Sequence, residues 1–559
     1  MSGKRIVHVV GLLIILLGML AAPQPTQAQD EFPQENAWHK VTPSVVWCDD
    51  PQSTVTLEVH IVGRTDVAQV QVTNSGEDDR FTLYDDGSHG DAEAGDNVFT
   101  LEGAQLYCNP RDAEERGYDA WWGFLRMRLK NGQELENNYG MTAGIVHQDF
   151  RDVFQVEQLG EGLSATAYAF FIEDSGHEVL DDYPVAELYC GKGNYEAFRK
   201  LYSVMPDAFD FVMLMPGMQL LRPDGFPENT PYAVLVSNAV QNIGVAIKDD
   251  TALFGSSGRL LSMIYHSFGS LAIFDHEVAH TWGAGIGTSL GLADTTSSGL
   301  GHWDKMSDIA GQLGEYYFHT SGVVGRFHDN GDGTWRLVSN FEVEPYSPLE
   351  LYVMGLIPPE EVPPIHILQS PDLSDLERIT AASWQTVTIE QIMQAEGGPR
   401  NPSSDQSRKD FDLAFVVVQD LPYNDAAYAF FSLISYRLMT REPPMPYDSF
   451  GPFYWATGGR ATLNTRLPVN LADPVGPAPL LQPEPAATET PPASEAATEA
   501  PGTIPEAEQP TPMTATGAEE VPPTQAPPAG TPRLCGQIYA LVLVIPALVL
   551  VCRRRERGL

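Results

Sequence analysis

The stretch FDHEVAHTWGAGIG, residues 274–287, sets His276 and His280 four residues apart with Glu277 directly after the first. On a helix, positions i and i+4 share a face, so these two imidazoles can meet one metal ion. Zinc suits the pair. It takes nitrogen ligands, polarises a carbonyl and brings the pKa of a coordinated water down to about 7. Glu277, one step round the helix, is the residue type that accepts that water's proton and returns it to a leaving nitrogen. A chain of this composition would contain such a spacing by chance only about 0.02 times. The implied chemistry is hydrolysis by an activated water.

A catalytic zinc site needs a third protein ligand. After Gly283 the chain reads AGIGTSLGLADTTSSGLGHWDKMSDIAGQLGEYYFH, which offers Asp294, His302, Asp304, Asp308, Glu315 and His319. His302 is the first choice. It ends a Gly/Ser/Thr-rich loop long enough to fold back over the helix, imidazole suits zinc, and the bulk of Trp303 beside it can fix its position. Asp304 or Asp308 would then orient an imidazole as an outer carboxylate.

The motif resembles that of the zincin metallopeptidases, and HEVAHTWG also matches the metzincin branch at Gly283, where the helix breaks and the chain turns back. The resemblance implies a zinc metallopeptidase domain of a bacterial surface protein, acting on protein or peptide substrates. It stops at Ile286, the position where metzincins carry their third ligand, because that side chain cannot bind metal. Other branches supply rivals to His302. Glu315, on a predicted helix, is arranged as in gluzincins, and Asp294 in GTSLGLAD resembles an element of aspzincins. LYVMGL resembles a Met-turn, which would place Met354 beneath the zinc; a core methionine in an ordinary turn is the other reading.

These residues need elements to hold them. In 150–466, SATAYAFFIED, FDFVMLMP and YAVLVSN read as strands and NYEAFRKLYSVM as an amphipathic helix. Residues 258–282, with apolar positions at three and four spacing, predict one long helix carrying the motif. Strand–helix–strand order before that helix predicts an α+β zincin-like domain. Ahead of it, 41–147 predicts an immunoglobulin-like antiparallel sandwich from TVTLEVHIVG, VAQVQVT, RFTLYDD, NVFTLE and WWGFLRMRLK. Cys48 and Cys108 lie near its ends and are expected to pair, leaving Cys190 as a small buried hydrophobe. Within it, LYDDGSHGDAEAGDNVFT resembles a loop of immunoglobulin-like modules found beside enzyme domains. Asp85, Asp86, Asp91 and Asp96 there can offer oxygens to Ca2+, although they lack EF-hand spacing and a plain turn cluster explains them too.

At the scale of the chain, 559 residues imply more than one domain. A net charge of −41 with only 33 Lys and Arg argues against nucleic-acid binding. Residues 1–28 read as a signal peptide, with Lys4 and Arg5, an apolar run and a small-x-small site ending at Ala28. Residues 467–533 read as a disordered stalk: from 471 to 530 there are fifteen prolines and nine acids but no Lys or Arg. Residues 534–552 read as a transmembrane or sorting helix contacting the membrane, followed by the basic tail 553–559. The expected fold class is therefore multidomain: an all-β sandwich, an α+β zincin-like domain, a stalk and a C-terminal transmembrane helix. The expected function is that of an exported, envelope-anchored zinc metallopeptidase. A non-catalytic surface scaffold and a zinc hydrolase of a non-peptide bond are the alternatives.

Overall fold

The structure is a computed structural model, and it describes residues 37–74, 80–109, 116–176, 179, 195–218, 231–266, 274–283, 285–294, 301–314, 317–318, 324–339, 344–441 and 451–472. The expected signal peptide, Cys190, Glu315, His319, the expected stalk beyond 472, the helix expected at 534–552 and the basic tail lie outside these residues.

Eight strands build the N-terminal sandwich: β1 (Ala37–Thr42), β2 (Val45–Trp47), β3 (Val55–Ile61), β4 (Val67–Asn74), β5 (Arg80–Leu83), β6 (Val98–Ala104), β7 (Tyr118–Leu129) and β8 (Glu134–Val146). One sheet runs β1-β3-β6 and the other β2-β8-β7-β4-β5. Alternation drives the packing. In VTLEVHI every second residue is buried, so Val55, Leu57, Val59 and Ile61 face the opposite sheet. Cys48 and Cys108 form the expected disulfide across this core, with Cα atoms 5.5 Å apart.

The rest of the described chain is organised by a mixed eight-stranded sheet. Its strands are β9 (Glu157–Gly160), β10 (Leu163–Ala165), β11 (Phe170–Glu173), β12 (Phe211–Met215), β13 (Tyr232–Leu235), then, past the short pair β14 (Ser237–Asn238) and β15 (Lys248–Asp249), β16 (Ser262–Tyr265). The order is β13-β16-β12-β24-β11-β10-β9, where β24 is Asp410–Gln419, with β25 (Thr462–Asn464) also on β24. The central four strands run parallel and read as continuous apolar runs because both faces are covered. Phe211, Met213, Phe415 and Val417 face one core, whereas Val212, Leu214, Ala414 and Val416 face the other. Helix α1 (Glu196–Val204) covers the second face through Phe198 and Leu201. On the first lie α2 (Phe274–Ala279), α3 (Pro348–Met354), α4 (Ile389–Ala395), α5 (Asp425–Leu438) and α6 (Phe453–Ala456). Small sheets join them: β17 (Ala293–Asp294) with β18 (His302–Trp303), β19 (Tyr317–Phe318) with β20 (Val324–Asp329) and β21 (Trp335–Ser339), and β22 (Ile365–Asp372) with β23 (Thr380–Val387).

One expectation is corrected here. The chain after the sandwich is not an α+β zincin-like domain: among its described residues seventeen strands stand against six α-helices, and the longest helix has 14 residues. The predicted helix over 258–282 is the clearest case. Its SMIY portion is β16, buried at all four positions between β13 and β12, and among its described residues only FDHEVA is helical. A short apolar run fits a strand covered on both faces as well as a helix. The C-terminal helix expected at 534–552 lies outside the described residues; among those residues no helix is long and apolar enough to cross a membrane.

The sandwich and the mixed sheet also share one core. Val45, Tyr118 and Val146 belong to the same cluster as Phe430 of α5. The Tyr118 and Phe430 rings meet edge-on at 5.5 Å, and Asn424 Nδ2 donates to the Val45 carbonyl at 2.9 Å. At the other end, the Leu467 amide donates to the Ala167 carbonyl and the side chain is buried, so the packed chain runs past the composition-based start of the stalk.

Candidate metal centre

Helix α2 plants two residues of the motif. Phe274, Val278 and Ala279 bury its inner side in the core, and His276 and His280 emerge one turn apart. The turn then tightens, with the Gly283 amide donating to the Ala279 carbonyl at 2.8 Å. Glycine is required at this point. A Cβ on residue 283 would lie 2.0 Å from Leu313 Cδ1 and 2.9 Å from the Ala279 carbonyl oxygen.

His302 arrives from β18. Its strand pairs antiparallel with β17, setting His302 opposite Asp294 and Trp303 opposite Ala293. The Nε2 of His276 lies 3.2 Å from that of His280 and 3.2 Å from that of His302. All three ligand atoms fall within 4.8 Å of one another. Nitrogens about 2.05 Å from a tetrahedral zinc would be separated by roughly 3.3 Å. The residues present therefore fit this metal.

Proton placement points the same way. His276 Nδ1 lies 2.6 Å from the Gln312 carbonyl oxygen. A carbonyl only accepts, so Nδ1 carries the hydrogen and Nε2 carries the lone pair. One lone pair cannot accept a hydrogen from both His280 and His302. A cation between the three nitrogens removes that conflict. Burial, followed by the neighbouring His280 and His302, holds the His276 pKa well below its ordinary value. Burial and His302 bring His280 down to about 3. Both imidazoles are thus neutral at physiological pH, the form that ligates.

Glu277 is 4% exposed. Burial pushes its carboxyl up to about 8, and no hydrogen bond to it is present among the described residues. A positive charge at the histidines would favour its ionised form.

A second carboxylate organises the surroundings. Glu350 is buried in α3, where Ser347 and Glu350 form a capping box. Its Oε1 accepts from Trp303 Nε1 at 3.0 Å and from the Leu313 amide at 2.6 Å. Its Oε2 accepts from the Ser347 amide at 2.7 Å and the Gln312 amide at 3.0 Å. One side chain therefore ties the strand that carries His302 to the segment whose carbonyl holds His276. Burial raises its pKa, and the donors from Leu313, Ser347, Gln312 and Trp303 oppose that rise. Glu344 braces the same segment, accepting from the Gly311 amide at 3.1 Å, while Gln312 Nε2 donates to its carbonyl.

Other expected participants fall elsewhere. Met354 is the last residue of α3, buried in the core and helical, not set in the bend that a Met-turn implies. Asp304 Oδ1 accepts from the Met306 amide. Asp308 holds a different histidine, His366, and Trp335 Nε1. Orientation of His276 falls to a backbone carbonyl in place of either aspartate. Asp294 pairs with His302 through the backbone, and the rival Glu315 lies outside the described residues. In the aspartate loop Asp85, Asp91 and Asp96 converge, whereas Asp86 turns to the Ser88 amide. Sequence reading missed Glu350 and Gln312. The Ser-x-x-Glu of SPLE signals a capping box, but nothing local signals its link to His302. No protein-family model matches the chain, and comparison with curated proteins and with solved structures found no match.

Proposed function

We propose that this protein is a zinc-dependent hydrolase of peptide bonds, with His276, His280 and His302 holding the metal and Glu277 moving the proton. The observation that carries the reading is the convergence of three imidazole Nε2 atoms, two of them from the helical turn that also carries the buried Glu277. Zinc held there would supply a Lewis acid for the scissile carbonyl and a water acidic enough to attack near neutral pH. The remaining work belongs to the chain. The Gln312 carbonyl keeps His276 in the tautomer whose Nε2 faces its two partners, and Glu350 fixes His302 through Trp303. Glu277 takes a proton from the attacking water on a carboxylate oxygen and returns it to the departing amine nitrogen. Amide cleavage needs that return, because an amine leaves only when protonated.

The disulfide supports an exported protein, since such bonds persist in oxidising compartments. The charge of −41 favours protein or peptide over nucleic acid as substrate. The test pairs metal analysis with mass-spectrometric profiling of a peptide library. One zinc per chain and cleavage that disappears in Glu277→Gln are expected. Absence of zinc in the unmutated chain would end the proposal. Zinc without cleavage would leave a metal-bearing scaffold, and turnover of esters alone would move the reaction away from peptide bonds.

A further inference from the structure

The loop between β5 and β6 gathers Asp85, Asp91 and Asp96 far from the histidines in sequence. Each brings a carboxylate oxygen to within 4.8 Å of the others. Between residues 81 and 110 the chain has six acids and no Lys or Arg. Among the described residues no ion pair reaches any of the three. Much of the loop's hydrogen bonding is local. Asp85 accepts from the Gly95 and Asn97 amides, Asp96 Oδ1 from the Val98 amide, and Asp91 Oδ2 from the Gly87 amide. Those bonds shape the turn and do not by themselves call for a ligand.

Asp91 does. Its side chain belongs to the cluster, it is 7% exposed, and its Oδ1 is buried with no hydrogen-bond partner among the described residues. A buried carboxylate oxygen left without water or a donor costs free energy on the order of 1–3 kcal/mol or more. A cation in the loop would satisfy that oxygen and offset the mutual repulsion of three anions. The donor set is oxygen only. Calcium accepts such sets at about 2.3–2.6 Å in irregular geometry, so two oxygens on opposite sides of the ion stand up to about 5 Å apart. Magnesium demands a tighter octahedron, and zinc prefers nitrogen or sulfur. Carboxylate oxygens retain lone pairs after accepting a backbone N–H, so Asp85 and Asp96 remain able to ligate.

We propose that Asp85, Asp91 and Asp96 form a calcium site that fastens the loop joining the two sheets of the sandwich. The site is independent of the histidine centre in residues and in ion. Affinity is expected on the order of 10⁻⁴ M, the range of modules that work in millimolar calcium.

The test is calorimetric titration of calcium chloride into the full-length protein, freed of divalent ions on a chelating resin and reloaded with one zinc. Asp91→Asn, Asp96→Ala and His276→Ala are titrated alongside. One calcium per chain is expected. Binding should weaken at least about tenfold in both aspartate variants and stay unchanged in His276→Ala. Asp96 is exposed, so its variant keeps the test valid if Asp91→Asn fails to fold. No calcium uptake by the unmutated protein at about 10 mM would overturn the proposal. So would unaltered affinity in Asp96→Ala, or calcium uptake lost only in His276→Ala.

Discussion

Three nitrogens and two carboxylates carry the reading, and each makes a separable demand. Removing His302 deletes one ligand of three, so His302→Ala should lose zinc as severely as His276→Ala. Glu277→Gln should keep its zinc while turnover falls by about 10²–10⁴-fold, the usual worth of a positioned proton carrier. Metal content and rate on the purified variants decide this, and full zinc in His302→Ala would exclude it as a ligand. Glu350→Gln should weaken zinc affinity by roughly 10–100-fold, because an amide cannot accept four N–H donors as the carboxylate does. Unchanged zinc affinity with lowered thermal stability would reduce Glu350 to a fold residue. The pH response separates the groups further. In the metal-free protein the Glu277 pKa rises from its ordinary 4.5 to about 8. Its contribution to stability is therefore full below pH 4.5 and is lost as pH climbs through 8. His276 and His280 are depressed, so theirs is present above 6.5 and lost on acidification. Above the range in which the histidines titrate, metal-free protein should thus lose on the order of 2 kcal/mol between about pH 6.5 and 8 through Glu277. Denaturant melts should show this decline, and Glu277→Gln should flatten it.

At the scale of elements, the site depends on how closely the end of α2 approaches the 311–314 segment. Gly283→Ala should drive a methyl into Leu313, costing about 1–3 kcal/mol and lowering zinc occupancy. Leu313→Ala in the same chain should recover part of the occupancy; a double mutant no better than Gly283→Ala would show the clash to be unimportant. This glycine was legible from HEVAHTWG, as were His276, Glu277, His280 and the fold-back of His302, because helical spacing and ligand chemistry are local properties. Five predicted sandwich strands and helix α1 were legible too, since alternation and amphipathic period are written along the chain. The long helix over 258–282 was misread because β16 is buried on both faces, which erases the alternation that marks a strand. Glu350 and the Gln312 carbonyl were invisible for another reason. Their significance lies in contacts spanning 36 to 47 residues, which no window of sequence contains.

Over the whole molecule, the Cys48–Cys108 bond closes a loop of 60 residues. Reduction should destabilise the fold by about 4 kcal/mol in the chain-entropy view, visible as a lower melting temperature with dithiothreitol. An unchanged melt would mean that the sandwich core suffices without it. That core does not end at the sandwich. A Cβ on Gly144 would come within 3.0 Å of the Phe430 ring, and Ser44 Oγ donates to Gln419 Oε1 at 3.2 Å. Residues 37–147 expressed alone should therefore bind hydrophobic dyes or precipitate, and the intact protein should melt as one transition. Such a piece is not a bead that recombination can move from gene to gene. Sandwich and mixed sheet are expected to be inherited together, because each completes the other's core.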